Sequence, residues 1–309
     1  MVDMSVWTGR DDTTSEGAKA RRWHHMVKPL EASAVPGVAL IGFCCDAGVA
    51  RNGGRIGARE GPRAIRAALA NSAWHQSALA YDAGDVICDS DALEAAQVAL
   101  AARVAEVMRG GHLPVVLGGG HEVAWGTWQG LVAARPAAKI GIINIDAHFD
   151  LRQTAVASSG TPFAQVARDC AARGAPFDYL CLGVSRHANT AALFDVADAT
   201  GTAWVEDKAF ARANADAVLA TLDAFMSRCE AIHFTICLDA FPGSVAPGVS
   251  APAARGIGVE MVELVAEHIA RSGKLAALEV AELSPPHDEN GRTAKLAARL
   301  VADTLLMRT

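Results

Sequence analysis

Ile140-Gly141-Ile142-Ile143-Asn144-Ile145, running straight into Asp146-Ala147-His148-Phe149-Asp150, is the stretch on which the fold of this chain turns. Its apolar character, interrupted only by Asn144, fits a strand buried on both faces, the condition of a parallel sheet covered by helices. Directly beyond it stand two carboxylates and an imidazole. In extended chain, residues i, i+2 and i+4 project to one side, so Asp146, His148 and Asp150 are expected to converge at the strand end. Such a set repels itself without a cation, and Ala147 and Phe149 are not residues of a solvated acidic loop. The expectation is a metal site, with His148 neutral and competent as a ligand at pH 7.

Similar apolar runs recur at Val38–Phe43, Leu113–Leu117, Tyr179–Leu182, Ala231–Leu238 and Leu275–Val280. Between them, helical spacing of apolar residues predicts helices over about 61–70, 91–109, 122–134, 161–172, 190–199, 214–228, 259–272 and 293–307. Strands alternating with helices predict an α/β fold with a parallel sheet. No Pro/Ser-rich linker or internal repeat marks a second domain. Residues 31–309 therefore read as one domain, with residues 1–30 as a peripheral N-terminal arm.

Composition narrows the partners. Of 309 residues 51% are hydrophobic and 20% charged, which fits a large buried core and argues against disorder. The net charge is −6 and no stretch gathers enough Lys or Arg to follow a phosphate backbone, so nucleic acid is excluded as an expected partner. The apolar stretch 37–50, interrupted by Asp46, falls short of the roughly 20 residues a spanning helix needs. Seven cysteines without C-x-x-C spacing suit reduced thiols in a cytoplasm better than a disulfide framework or a zinc knuckle.

Two further strand ends carry candidate ligands. Gly118-Gly119-Gly120 lets the backbone turn sharply after Leu113–Leu117 and delivers His121 where open α/β sheets bind ligands. It is not a dinucleotide loop, because the third glycine of that pattern would fall at Val123. Cys237 and Asp239 stand two apart at the end of the run 231–238. Cys237 reads equally well as a ligand or as a small buried apolar side chain, and Asp239 as a ligand or a turn cap. Asn52-Gly53-Gly54-Arg55 reads as a loop carrying an arginine, and Ser158-Ser159-Gly160-Thr161-Pro162 as a helix entry rich in donors for a substrate carboxylate or for capping. Glu279 and Glu282 end the last strand, with Glu282 placed to hold a cationic nitrogen group. Gly183-Val184-Ser185-Arg186-His187 lacks the final glycine of a nucleophile elbow, which removes serine hydrolysis.

In this order, Gly118-Gly119-Gly120-His121-Glu122, Asp146-Ala147-His148-Phe149-Asp150-Leu151-Arg152, Ser158-Ser159-Gly160-Thr161-Pro162-Phe163 and Pro247-Gly248-Val249-Ser250-Ala251-Pro252 resemble the ureohydrolases, the arginase and agmatinase superfamily, from about Val38 to Leu306. The details are most similar to the branch that hydrolyses N-formimidoyl-L-glutamate to L-glutamate and formamide in histidine degradation. The resemblance implies a three-layer α/β/α fold with a mostly parallel eight-stranded sheet and two manganese ions at the strand ends. It implies one ion held by His121, Asp146 and Asp150, and a second by His148, Asp146 and Asp239. Glu282 would pair with the amidinium end of the substrate, while Arg152, Ser159 and Gly160 would meet the rest of it. A homo-oligomer is implied as well, since relatives of this fold usually assemble as trimers or hexamers.

The chain departs from arginases and agmatinases at four positions. Gly120 and Glu122 stand where those enzymes more often have aspartate and serine. Ser159 stands where a histidine is often credited with proton transfer, which leaves Asp150 or solvent to protonate the leaving nitrogen. Cys237 replaces an aspartate that bridges both ions, and a soft thiol beside oxygen-loving manganese predicts weaker occupancy, with one ion instead of two as the limiting case. Two alternatives stay open at this level: an agmatinase or other guanidino-acid hydrolase, and a catalytically silent subunit of the same fold.

Overall fold

The structure is a computed structural model and describes residues 2–307. Each of the six apolar runs forms a strand. In chain order come α1 (Thr13–Glu16), α2 (Trp23–Met26), β1 (Lys28–Pro29), β2 (Val38–Cys44), α3 (Ala47–Arg51), α4 (Gly61–Ala70) and β3 (Ala80–Ile87). There follow α5 (Leu93–Arg109), β4 (Leu113–Leu117), α6 (Val123–Ala134), β5 (Ile140–Ile145), α7 (Pro162–Ala172), β6 (Asp178–Val184) and α8 (Ala191–Ala199). The chain continues through β7 (Ala203–Glu206), α9 (Ala215–Met226), β8 (Ala231–Cys237), α10 (Val259–Arg271), β9 (Leu275–Ala281) and α11 (Arg292–Leu306).

The strands form one sheet in the order β1-β3-β2-β4-β9-β8-β5-β6-β7, parallel at every pairing. It has nine strands against the eight that the resemblance implied. The shortest is β1, whose two residues pair with Tyr81 and Asp82 at one edge. Alternate residues of each strand feed opposite layers, as a covered sheet requires. In β5, Ile143 and Ile145 pack in the core beneath α4, α9, α10 and α11, while Ile140 and Ile142 pack beneath α6, α7 and α8. On the second face α5 covers Ala39, Ile41 and Phe43 of β2.

The helices begin and end where local chemistry allows. Pro62 and Pro162 sit in the first turns of α4 and α7, where a missing N–H costs nothing. After α5 the chain turns at Gly111 with φ 81°, a conformation that suits glycine. Within the first thirty residues, Trp7 and Trp23 are buried against the same core as α4 and α11. Trp7 donates from Nε1 to Asp82 Oδ2 at 2.7 Å, and Asp82 is also held by the buried Arg66.

This topology positions the site. The chain leaves β4, skips two places and enters β5, and the last two strands fill the gap. The C-terminal ends of β4, β9, β8 and β5 therefore lie side by side at the centre of the sheet, where open α/β folds place their ligands.

Candidate metal centre

Each of the four central strands ends in a polar side chain that points at the same spot. After β4, Gly119 packs on the Cys45 backbone so closely that no Cβ would fit, and the chain then delivers His121. After β9, the Glu282 amide donates to Gly119 O, and Glu282 Oε1 accepts from the His121 amide at 3.0 Å. At the end of β8, Cys237 caps a short 3-10 turn that contains Asp239, and Cys237 Sγ donates to Asp239 Oδ1 at 2.8 Å. After β5 come Asp146, His148 and Asp150.

The distances define two overlapping groups. His121, Asp146 and Cys237 offer ligand atoms within 4.8 Å of one another, and so do Asp146, His148 and Asp239. Asp150 joins the first group, its Oδ2 lying 3.1 Å from His121 Nδ1, which is also 2.9 Å from Asp146 Oδ2. His148 Nδ1 lies 3.2 Å from Asp239 Oδ2. The six expected ligands thus come together, with Asp146 shared. They do not do so by extended chain, however: residues 147–148 bend and Asp150 has φ 49°, so a turn brings the carboxylates round. Asn189, absent from the sequence reading, holds that turn by accepting from Phe149 N and donating to Ala147 O at 2.8 Å.

Burial and crowding shape the charges. Burial by itself would lower the pKa of His121, but Asp146 and Asp150 outweigh it and raise it well above the usual value. His148 follows the same balance, with Asp239 and Asp146 prevailing over burial. Burial, then Asp146, pushes Asp150 up. Burial and the surrounding carboxylates push the Cys237 thiol well above its ordinary range. His121 Nδ1 is fully buried without a well-formed hydrogen bond, aimed between two carboxylates. A set of acidic oxygens and imidazoles arranged in this way fits divalent cations.

The Gly120 and Glu122 pair has a steric explanation. The buried Glu122 carboxyl occupies the space that a Cβ on Gly120 or Gly48 would need, and it accepts from the Gly48 amide. A side chain at position 120 is therefore incompatible with glutamate at 122. Burial raises the Glu122 pKa from 4.5 to about 7. The native state then holds a proton that the unfolded chain releases, so this contribution to stability is complete below 4.5 and lost as pH rises through about 7. The gap corresponds to about 3 kcal/mol. Glu122→Gln is expected to recover most of it at pH 8 and little at pH 5, measured as the difference in denaturant stability from wild type. An identical pH slope in both proteins would reject a neutral buried carboxyl.

Around these groups lies a cavity of about 330 Å³, lined also by Asn52, Arg55, Arg152, Ser159, Asn189, Leu193, Ser250 and Ala251. Ser159 is nearly buried and its hydroxyl accepts from Asn52 at 3.2 Å. Gly160 is not part of the lining; its carbonyl accepts from the Arg152 amide, and the Arg152 side chain lies across it. Arg55 is clamped by the Val249 and Ser250 carbonyls. Arg152, by contrast, makes no side-chain hydrogen bond or ion pair among the described residues.

A three-layer parallel α/β fold with two overlapping acidic ligand groups at the central strand ends defines a metal-dependent hydrolase type of site. The chain belongs to the arginase family, whose model matches residues 36–307. It is 51% identical over 300 residues to a formimidoylglutamase of Chromobacterium violaceum, with 97% of each chain covered. Among solved structures, a formimidoylglutamase of Bacillus subtilis shares the fold at TM-score 0.85 and 19% identity, covering 97% of this chain and 94% of the other. A Trypanosoma cruzi formiminoglutamase solved with manganese superposes at TM-score 0.78 and 26% identity, over 89% of this chain and 95% of that one.

Proposed function

We propose that this chain hydrolyses N-formimidoyl-L-glutamate to L-glutamate and formamide with the help of two manganese ions. The observation that carries this reading is the meeting, in one cavity, of the acidic ligand cluster, the buried carboxyl of Glu282 and the guanidinium of Arg152, which has no partner among the described residues. Full-length similarity to formimidoylglutamases supports it.

On this reading His121, Asp146 and Asp150 hold one ion and His148, Asp146 and Asp239 the other, with Cys237 beside both. Oxygen-rich donors favour manganese, the metal of the Trypanosoma cruzi relative. When bound, the ions supply an acidified water and positive charge at the reacting carbon. The chain supplies the rest. Glu282 pairs with the amidinium and draws its carbon toward the ligand cluster. Arg152 meets a substrate carboxylate with its planar fork, which distinguishes a dicarboxylic substrate from agmatine. Asp150, which lines the cavity beside the ligand cluster, is placed to pass a proton to the departing glutamate nitrogen. Ser159 replaces the histidine of arginases and, tied to Asn52, serves the substrate wall.

Arg152→Ala is expected to raise KM for formimidoylglutamate about tenfold with little change in kcat, because one charge-assisted hydrogen bond at an open cavity mouth is lost. An unchanged KM would remove Arg152 from substrate binding. The activity itself is tested by incubating the manganese-loaded protein with formimidoylglutamate, agmatine and guanidino acids: glutamate with formamide supports the proposal, and urea from a guanidine replaces it with the guanidino reading. The seven cysteines are free, and no helix among the described residues is long and apolar enough to cross a membrane. The free thiols fit a cytoplasmic enzyme, which we place in a homo-oligomer because the family resemblance implies one.

A further inference from the structure

Beneath His121 runs a line of buried polar side chains that does not reach the cavity. Nδ1 of His121 faces the carboxylates of Asp146 and Asp150. Its other nitrogen, Nε2, lies 3.0 Å from Thr235 Oγ1, and that hydroxyl donates to Glu279 Oε1 at 2.9 Å. A hydroxyl has one proton to give. Having given it to Glu279, Thr235 can only accept from His121, so in the neutral ring that an ion requires the single imidazole hydrogen sits on Nε2. That leaves the Nδ1 lone pair directed at the acidic cluster, which is the form a cation needs.

Glu279 is itself fixed. Its Oε2 accepts from the Thr127 hydroxyl on α6, the helix that starts just after His121. Thr235 and Glu279 face each other in the register of β8 and β9, so the sheet sets their spacing. His233 is the other neighbour of Glu279, at 3.5 Å, but neither of its ring nitrogens makes a hydrogen bond. The well-formed bonds of Glu279 therefore go to the two threonines. Thr127, Thr235, His233 and Glu279 are all fully buried, and His121 nearly so, which keeps bulk water from substituting for any member.

We propose that Thr235 and Glu279 are positioning residues that hold His121 in its Nε2–H tautomer and aim Nδ1 at the ion, thereby setting the affinity of one of the two metal positions. The proposal rests on the metal-centre reading above. Outer partners of this kind typically change metal affinity about 10–100-fold.

The test is calorimetric titration of the metal-stripped full chain with Mn2+. Wild type is expected to show two classes of site. Thr235→Val, nearly isosteric but without the hydroxyl, should weaken one class about 10–100-fold and leave the other unchanged. Thr235→Ser should restore wild-type binding. Glu279→Gln should weaken the same class, because its amide can turn to donate to Thr235 and reverse the hydrogen-bond direction. If Thr235→Val binds both equivalents as tightly as wild type, or if it and Glu279→Gln weaken both classes equally, the proposal fails. Should Thr235→Val not fold, Thr235→Ser and Glu279→Gln decide by the same criterion. A wild-type chain that takes up no Mn2+ removes the metal-centre reading and the proposal together.

Discussion

Asp146→Asn, on the proposed two-ion reading, is expected to strip the protein of both ions and to lower kcat/KM by at least about a thousandfold, since bound ions contribute several kcal/mol to such reactions. Asp146 is the one residue common to both ligand groups. Its oxygens also accept from the His148 amide at 2.8 Å and from Asn144 Nδ2 at 3.1 Å. An asparagine must therefore turn its own N–H toward a donor or toward a ligand position, besides losing the charge that draws His121 and His148 together. The measurement is elemental analysis after dialysis, paired with steady-state kinetics. Two retained equivalents of manganese in the variant would contradict the shared role of Asp146.

Cys237→Asp is expected to tighten manganese binding on the order of 100-fold, by supplying an ionised oxygen donor where a protonated sulfur stands. Cys237 is buried, donates its proton to Asp239, and is held well above its ordinary pKa by burial, then by Asp146, Asp239 and Glu282. Without an ion it is a neutral, soft thiol, whose proton an incoming cation must displace. An aspartate would add a fifth carboxylate to Asp146, Asp150, Asp239 and Glu282, so the metal-free variant should be less stable while the loaded one gains. Titration under limiting manganese distinguishes these outcomes; equal and full occupancy in both proteins would show that the thiol is no handicap.

The tips of β5 and β8 were legible because ligand and strand lie in one continuous stretch. An apolar run followed by Asp146, His148 and Asp150, or by Asp239, announces both the element and its cargo. What escaped lies between segments. Asn189 supports the turn that carries Asp146, His148 and Asp150 from a loop after β6, and only the fold brings it there. Thr235 and Glu279 meet because β8 lies beside β9, a neighbour relation that neither strand encodes alone. The strands that went unread were β1, β3 and β7, whose polar or half-exposed residues carry no buried run: Asp82 and Asp85 interrupt β3, and every residue of β7 is partly exposed. Extended geometry predicts the convergence of Asp146, His148 and Asp150, yet the chain achieves it by bending, since a straight strand would carry Asp150 away from His121.

That bend has a lasting consequence. Asp150 at φ 49° and Glu282 at φ 71° sit in a backbone region that L-residues adopt at a cost of roughly 1 kcal/mol each, glutamate with less local compensation than aspartate. Glycine would relax both positions and delete both carboxylates. On the roles proposed for these carboxylates, selection for robustness alone would thus erode the catalyst, and a heat-tolerant descendant of this protein would find its extra stability away from these two residues.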